Sequence, residues 1–133
     1  MDISVCIVSW NTRELLYNCI DSILKMTSGV SYEVIVVDNN SSDGSAEMVK
    51  QQFPQCKLIE SKNNNGFAKG NNLGLQYATG KYIFYLNPDT VLLNNALYGM
   101  FCFMEANSEV GAVGCKLLNQ DGSIQLTCAR QAV

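Results

Sequence analysis

The sequence predicts an α/β fold: a mostly parallel open sheet with helices on both faces and a C-terminal hairpin. Three observations predict it. Short apolar runs alternate with segments of helical spacing along the chain. The first run, Ile3 to Ser9 ("ISVCIVS"), is apolar at nearly every position and rich in β-branched residues, as a strand covered on both faces requires. Strands separated by helices form βαβ units, whose crossovers are right-handed and whose sheets are parallel.

Each element follows in order. After the first strand, Asn11 with Glu14 three residues on reads as a capping-box variant that starts a helix. Leu15, Leu16, Cys19, Ile20, Ile23 and Leu24 recur there at helical spacing and form its sheet-facing side, and Gly29 closes the unit. Glu33 to Asp38 ("EVIVVD") is the second strand. The turn "NNSSDGS" leads into a helix to about Gln52, which Pro54 ends. Lys57 to Glu60 is a short third strand. A helix from Phe67 to Ala78 follows, Gly80 stops it, and Tyr82 to Leu86 forms the fourth strand. Asn95 to Asn107 is a further helix with Leu97, Met100, Phe101 and Met104 on one side. "VGAVGCKLL" and "SIQLTCA" then flank the hairpin-like turn Asn119 to Gly122.

Composition limits the function classes. A chain of 133 residues, 47% hydrophobic and 16% charged, suits one globular domain over residues 1–133. Twelve acidic against nine basic residues give a net charge of −3, without the basic footprint of a nucleic-acid binder. The six cysteines, at 6, 19, 56, 102, 115 and 128, include no C-x-x-C pair, and there is no histidine to complete a zinc site. They read as reduced core thiols of a cytoplasmic protein, Cys6 and Cys19 behaving as small buried hydrophobes. The N-terminus lacks a basic leader region, and no apolar run approaches the roughly 20 residues of a spanning helix.

Ligands of open α/β sheets bind beyond the carboxyl ends of the strands, so the residues after each strand carry the functional argument. Four polar clusters stand there: Ser9-Trp10-Asn11, Asp38-Asn39-Asn40, Asn63 to Gly66, and Asn87-Pro88-Asp89. Asp38 is either a turn aspartate accepting backbone N–H groups or an acceptor for a ligand N–H such as a nucleobase edge offers. Trp10, the only tryptophan, either stacks on a flat ring or covers the core edge. In "NNNGFAKGNNLGL" the glycines at 66, 70 and 74 fall on one helical face and cost about 1 kcal/mol each relative to alanine. Close approach to the sheet or to a ligand would offset that cost. The segment matches neither a P-loop nor a G-x-G-x-x-G fingerprint. Asp89, stiffened by Pro88, suits a hard cation or a diphosphate, since Mg²⁺ and Mn²⁺ prefer carboxylate and phosphate oxygens.

Taken in order, "VSWN" (8–11), "VVDNNSSDGS" (36–45), "NNNGFAKGNNLG" (63–74) and "LNPDTVL" (86–92) resemble a family-2 glycosyltransferase of the GT-A fold, closest to its rhamnosyltransferase-like members. The resemblance covers almost the whole chain. It implies that Val8, Trp10, Asn11 and Asp38 form a nucleoside pocket and that the segment around Asn65, Gly66, Phe67 and Gly70 closes over the nucleotide. It places Asn87 and Asp89 at the family's D-x-D position, where carboxylates hold Mg²⁺ or Mn²⁺ against the donor's diphosphate. Here Asn87 replaces the first carboxylate, so Asp89 alone keeps its charge. An amide there removes a Coulomb attraction of about 4 kcal/mol at 4 Å and an effective dielectric of 20, before desolvation.

The activity implied is inverting transfer of a sugar, from dTDP-rhamnose or a UDP-sugar, to a saccharide or lipid-linked acceptor in cell-surface polysaccharide synthesis. The resemblance also implies a cytoplasmic protein, with peripheral association at the inner membrane face among its expectations. The general base that such transfer needs is expected beyond Val133, so the chain reads as the donor-binding part, ending before an acceptor-binding part. An incomplete sheet of this kind exposes apolar surface and could pair with a second copy. Two rivals stand beside this reading. One is a nucleotide-sugar-binding module without catalysis, separated from the enzyme by product formation. The other is a receiver-like domain with Asp38 as phosphoacceptor, which Ser9-Trp10-Asn11 disfavours because such domains place acidic residues after the first strand.

Overall fold

The computed structural model describes residues 1–126. Strands β1 (Ile3–Ser9), β2 (Tyr32–Asp38), β3 (Lys57–Glu60) and β4 (Tyr82–Leu86) alternate with helices α1 (Arg13–Met26), α2 (Ser45–Gln52), α3 (Gly66–Leu75) and α4 (Ala96–Ala106). All pairings are parallel, in the order β3-β2-β1-β4. The chain therefore winds outward from β1 to β3 and returns on the other side of β1. That reversal sets the carboxyl ends of β1 and β4 side by side, and open α/β sheets take their ligands at such a switch point.

Side-chain alternation sends the two faces of the sheet to different partners. Ile3, Val5 and Ile7 of β1 and Val34 and Val36 of β2 join Leu16, Ile20 and Ile23 of α1, Met48 and Val49 of α2, and Leu97 of α4 in one buried cluster. Each such side chain contributes about 1.5–3 kcal/mol when fully buried. On the opposite face α3 lies close against Cys6, Val8 and Val37. A Cβ at Gly74 would overlap Cys6 Sγ, and one at Gly70 would stand 2.6 Å from Val8 Cγ1. Helix-to-sheet proximity thus accounts for two of the three costly glycines. Gly66 does not share their role: it opens α3 at φ +79°, with nothing within 4 Å of its missing Cβ.

Several local expectations change. Asn11 does not cap α1; it lies at φ +52°, Thr12 holds the cap position, and the helix begins at Arg13. Leu15 is exposed, whereas Ser22 takes a buried place on that helix. The third helix ends at Leu75, and successive turns through Gln76, Tyr77 and Ala78 finish the unit. The hairpin is reduced to one antiparallel bridge, Leu118 with Ile124, around a turn in which Gly122 takes φ +83°. The end of "SIQLTCA", including Cys128, lies outside the described residues. Cys6, Cys19, Cys56, Cys102 and Cys115 are free thiols, and Cys102 is exposed rather than in the core. Burial pushes Cys6 and Cys56 up to about 11. Among the described residues no helix is long and apolar enough to cross a membrane.

The amino-terminal edge of the sheet is tied by a separate polar network. Ser4 Oγ donates to Glu33 at 2.6 Å and accepts the N–H groups of Thr79 and Gly80. Glu33 also accepts from Thr79 N and Oγ1 and from Lys57 Nζ. Gly80 permits this junction, since a Cβ there would fall 2.6 Å from the Ile3 carbonyl carbon.

Candidate functional site

The register brings three of the four polar clusters side by side. Ser9 pairs with Asp38, and Asp38 with Glu60, so β1, β2 and β3 end in line. β4 ends at Leu86, opposite Ile7, and Asn87 follows at the same edge. Trp10 projects at the exit of β1 with 55% of its surface exposed, and Phe67 is equally exposed on the first turn of α3. Val8 is buried beneath Gly70.

Asp38 is 3% exposed. Its Oδ2 accepts the N–H of Ser41 at 2.9 Å, the turn role expected of an aspartate after a strand. Its Oδ1 is buried and has no partner. The neighbouring Asn39, also buried, donates from Nδ2 to the Gly66 carbonyl at 3.1 Å and so ties the end of β2 to the start of α3. Asn39 Oδ1 is likewise unpartnered. Two adjacent buried acceptors without donors are costly, on the order of 1–3 kcal/mol each, and mark this strand end as a place where donors are missing.

The segment after β3 is held mainly by itself. Ser61 Oγ donates to the Asn63 carbonyl and accepts from Asn65 Nδ2, while Asn64 Oδ1 accepts the Gly66 N–H at 3.0 Å. Asn63, Asn64 and Asn65 are all exposed. Asn65, at the cap position, makes no side-chain bond to α3, and the first N–H of the helix, that of Gly66, is taken by Asn64.

Asn87 and Asp89 are both exposed. Beneath them the Cys19 thiol, fully buried on α1, donates weakly to the Asn87 carbonyl at 3.7 Å. Burial, and then the Asp89 carboxylate, push Cys19 up to about 12, so it stays a neutral thiol. Among the described residues no three His, Cys, Asp or Glu side chains gather as a ready-made metal cage. The donor set at the end of β4 is one carboxylate and one amide. Those oxygens suit a hard divalent cation that takes its remaining ligands from phosphate and water.

Sequence reasoning missed two participants. Asn39 stands in the Asp38 cluster with no role of its own in the sequence, although its burial and its bond to Gly66 link two of the clusters. Asp43 was read as a turn residue, yet its Oδ2 accepts the N–H of Arg13 at 2.9 Å, thirty residues away. Only the D-G dipeptide hinted at a special backbone there. A groove of about 770 Å³ runs along the free edge of β4, between Phe84, Met100, Phe101 and Val113, and reaches Asn87 and Thr90 at its site end. It is apolar and lies beside the strand ends rather than over them.

Comparison with known proteins bears on the family and the fold. The model of the family described as glycosyl transferase family 2 matches residues 4–127. The minor teichoic acid biosynthesis protein GgaB of Bacillus subtilis is 29% identical over 126 residues, covering 91% of this chain and 14% of that protein. The crystal structure of S. aureus TarS 1-349 in complex with UDP superposes with a TM-score of 0.73 at 23% identity, over 81% of this chain and 33% of that one. The mannosyltransferase PcManGT from Pyrobaculum calidifontis, in complex with GDP-Man and Mn²⁺, gives a TM-score of 0.64 at 24% identity, over 72% of this chain and 30% of that one. The chain thus spans a third or less of these proteins and shares the α/β fold of the two solved ones. By the family model that covers nearly all of it, this chain belongs to glycosyl transferase family 2.

Proposed function

We propose that this chain binds the nucleoside-diphosphate sugar for an inverting glycosyltransferase of cell-surface polysaccharide synthesis. The observation that carries the reading is Asp38 Oδ1, a buried acceptor without a donor at the carboxyl edge of a doubly wound sheet. A pyrimidine or guanine ring supplies the missing N–H. Trp10, exposed beside it, offers a face for stacking, and the Asn11 backbone fixes the exit of β1. Asn65, Gly66 and Phe67 stand at the opposite wall, with Gly70 letting α3 approach Val8. The relatives support a donor of this class: one solved neighbour holds UDP and another GDP-Man with Mn²⁺. GgaB is a minor teichoic acid biosynthesis protein, which supports a place in cell-surface polysaccharide synthesis.

Asn87 and Asp89 would hold Mg²⁺ or Mn²⁺ together with the donor's diphosphate. Such an ion acts as a Lewis acid that offsets the charge developing on the leaving diphosphate. Two oxygens and one charge make a weak site for the bare ion, so ion and nucleotide enter as one chelate. The general base is not assigned. Glu105, on the last turn of α4, is engaged by Lys81 and Tyr82 at the start of β4, the end away from the site.

The test is Asp38→Ala. Removing the acceptor should weaken nucleoside-diphosphate binding at least about tenfold, the loss expected of a buried charge-assisted hydrogen bond, while Mn²⁺-pyrophosphate binding stays within twofold. Unchanged nucleotide affinity in this variant would contradict the pocket. Product formation with the acceptor then separates transfer from binding alone.

A further inference from the structure

The formal cap positions of α1 and α2, Thr12 and Gly44, bond neither helix through a side chain. One carboxylate serves both helices instead. Asp43 Oδ2 accepts the N–H of Arg13, the first residue of α1, at 2.9 Å. Its Oδ1 accepts the N–H of Ser45, the first residue of α2, at 3.0 Å and the Ser45 hydroxyl at 2.6 Å. Burial would raise this carboxyl, but the bonds from Ser45 and Arg13 outweigh it and hold it below its ordinary value. A second tie runs alongside. Ser41 Oγ accepts the Asn11 N–H at 3.0 Å, and Asn11 Oδ1 accepts the Ser42 N–H at 2.8 Å. Asn11 and Asn40 both take positive φ, +52° and +64°, the left-handed turn conformation that asparagine tolerates better than other side chains. Trp10 directly precedes Asn11, and Asp38 accepts the N–H of Ser41, so both stand next to these ties.

We propose that Asp43 is a positioning residue for the nucleoside: by joining the starts of α1 and α2 it sets the separation of Trp10 from Asp38. The inference rests on the nucleotide-binding reading above. Asp43 is exposed and touches none of the apolar cluster, so its loss falls on the two strand-end loops and leaves the core packing intact. Asp89 stands at the end of β4, outside these loops, so the diphosphate end of the site should not feel the change.

Asp43→Ala and Asp43→Asn are compared with wild type for binding of whichever of UDP, dTDP, GDP and CDP the wild type binds tightest, and of Mn²⁺-pyrophosphate. Thermal midpoints are measured in parallel. Ser4→Ala, at the far edge of the sheet, is the control for stability alone. The expected result is a loss of about tenfold in nucleotide affinity for Asp43→Ala, a smaller loss for Asp43→Asn, which keeps one acceptor, and unchanged Mn²⁺-pyrophosphate binding. Ser4→Ala should lower the thermal midpoint without lowering affinity. If wild type binds nucleotide and both Asp43 variants bind within about twofold of it, the positioning role is overturned while the nucleotide reading stands. A Ser4→Ala protein that loses as much affinity as Asp43→Ala also overturns it, because stability alone would then explain the loss. A wild type that binds none of the four overturns the nucleotide reading and this inference together.

Discussion

Glu33 shows how one residue can gather a junction that no local pattern announces. Burial alone would raise its carboxyl, but hydrogen bonds from Ser4, Thr79 and Lys57 outweigh that and hold it at about 2, against an ordinary 4.5. A carboxyl lowered by folding contributes stability above its unfolded value, and that contribution fades as pH falls from 4.5 toward 2. Urea unfolding of wild type and Glu33→Gln should therefore differ most near neutral pH, with wild type the more stable, and converge as pH approaches 2. A gap that stays constant across that range would mean that the charge of Glu33 does not hold the junction. The sequence shows Glu33 only as the polar start of an apolar strand. Its partners lie 24 to 46 residues further on or 29 residues back, and such separations leave no periodic trace. Asp43 escapes notice for the same reason. Asp38 and Asp89 stand out in the sequence because strand ends are where α/β sheets take ligands, and the structure puts both at that edge.

Among the elements, the strands were read almost to the residue. β1, β3 and β4 run over the spans expected, and β2 begins one residue earlier, at Tyr32. Near-continuous apolar runs bounded by polar clusters leave little choice of boundary in a sheet covered on both faces. Helix starts were harder, because a cap depends on which polar group reaches the free N–H groups. At α1 the caps come from another loop, so Asn11 was free to turn outward and bind Ser42. The exit of β1 gives a direct reporter. Trp10 is the chain's single tryptophan and is 55% exposed. If it stacks on the base, adding nucleotide should change its emission and saturate at the same concentration as the calorimetric signal. Unaltered fluorescence at saturating nucleotide would remove Trp10 from the pocket.

At the scale of the molecule, winding order decides where chemistry can occur. Strand order 3-2-1-4 places the reversal between β1 and β4, and that sets the exit of β1, with Trp10 and Asn11, beside the exit of β4, with Asn87 and Asp89. Stability is distributed unevenly around it. β1 and β2 are buried nearly throughout, whereas beyond α4 only the Leu118–Ile124 bridge gives regular pairing among the described residues, and Val113, Leu117, Ile124 and Leu126 are exposed. A hairpin was expected there because two apolar runs flank an Asp-Gly turn; the turn forms, but two apolar runs alone do not supply the covered face that a β-ribbon needs.

The central claim is that the carboxyl edge of this sheet holds a nucleoside diphosphate together with a divalent ion. Calorimetric titration of the chain with UDP, dTDP, GDP and CDP, each with and without Mn²⁺, tests it most directly. The account predicts that one of the four binds, that binding strengthens with Mn²⁺, and that Mn²⁺ alone gives little heat. Tight Mn²⁺ uptake without nucleotide would contradict the single-carboxylate site, and no binding by any of the four would contradict the claim itself.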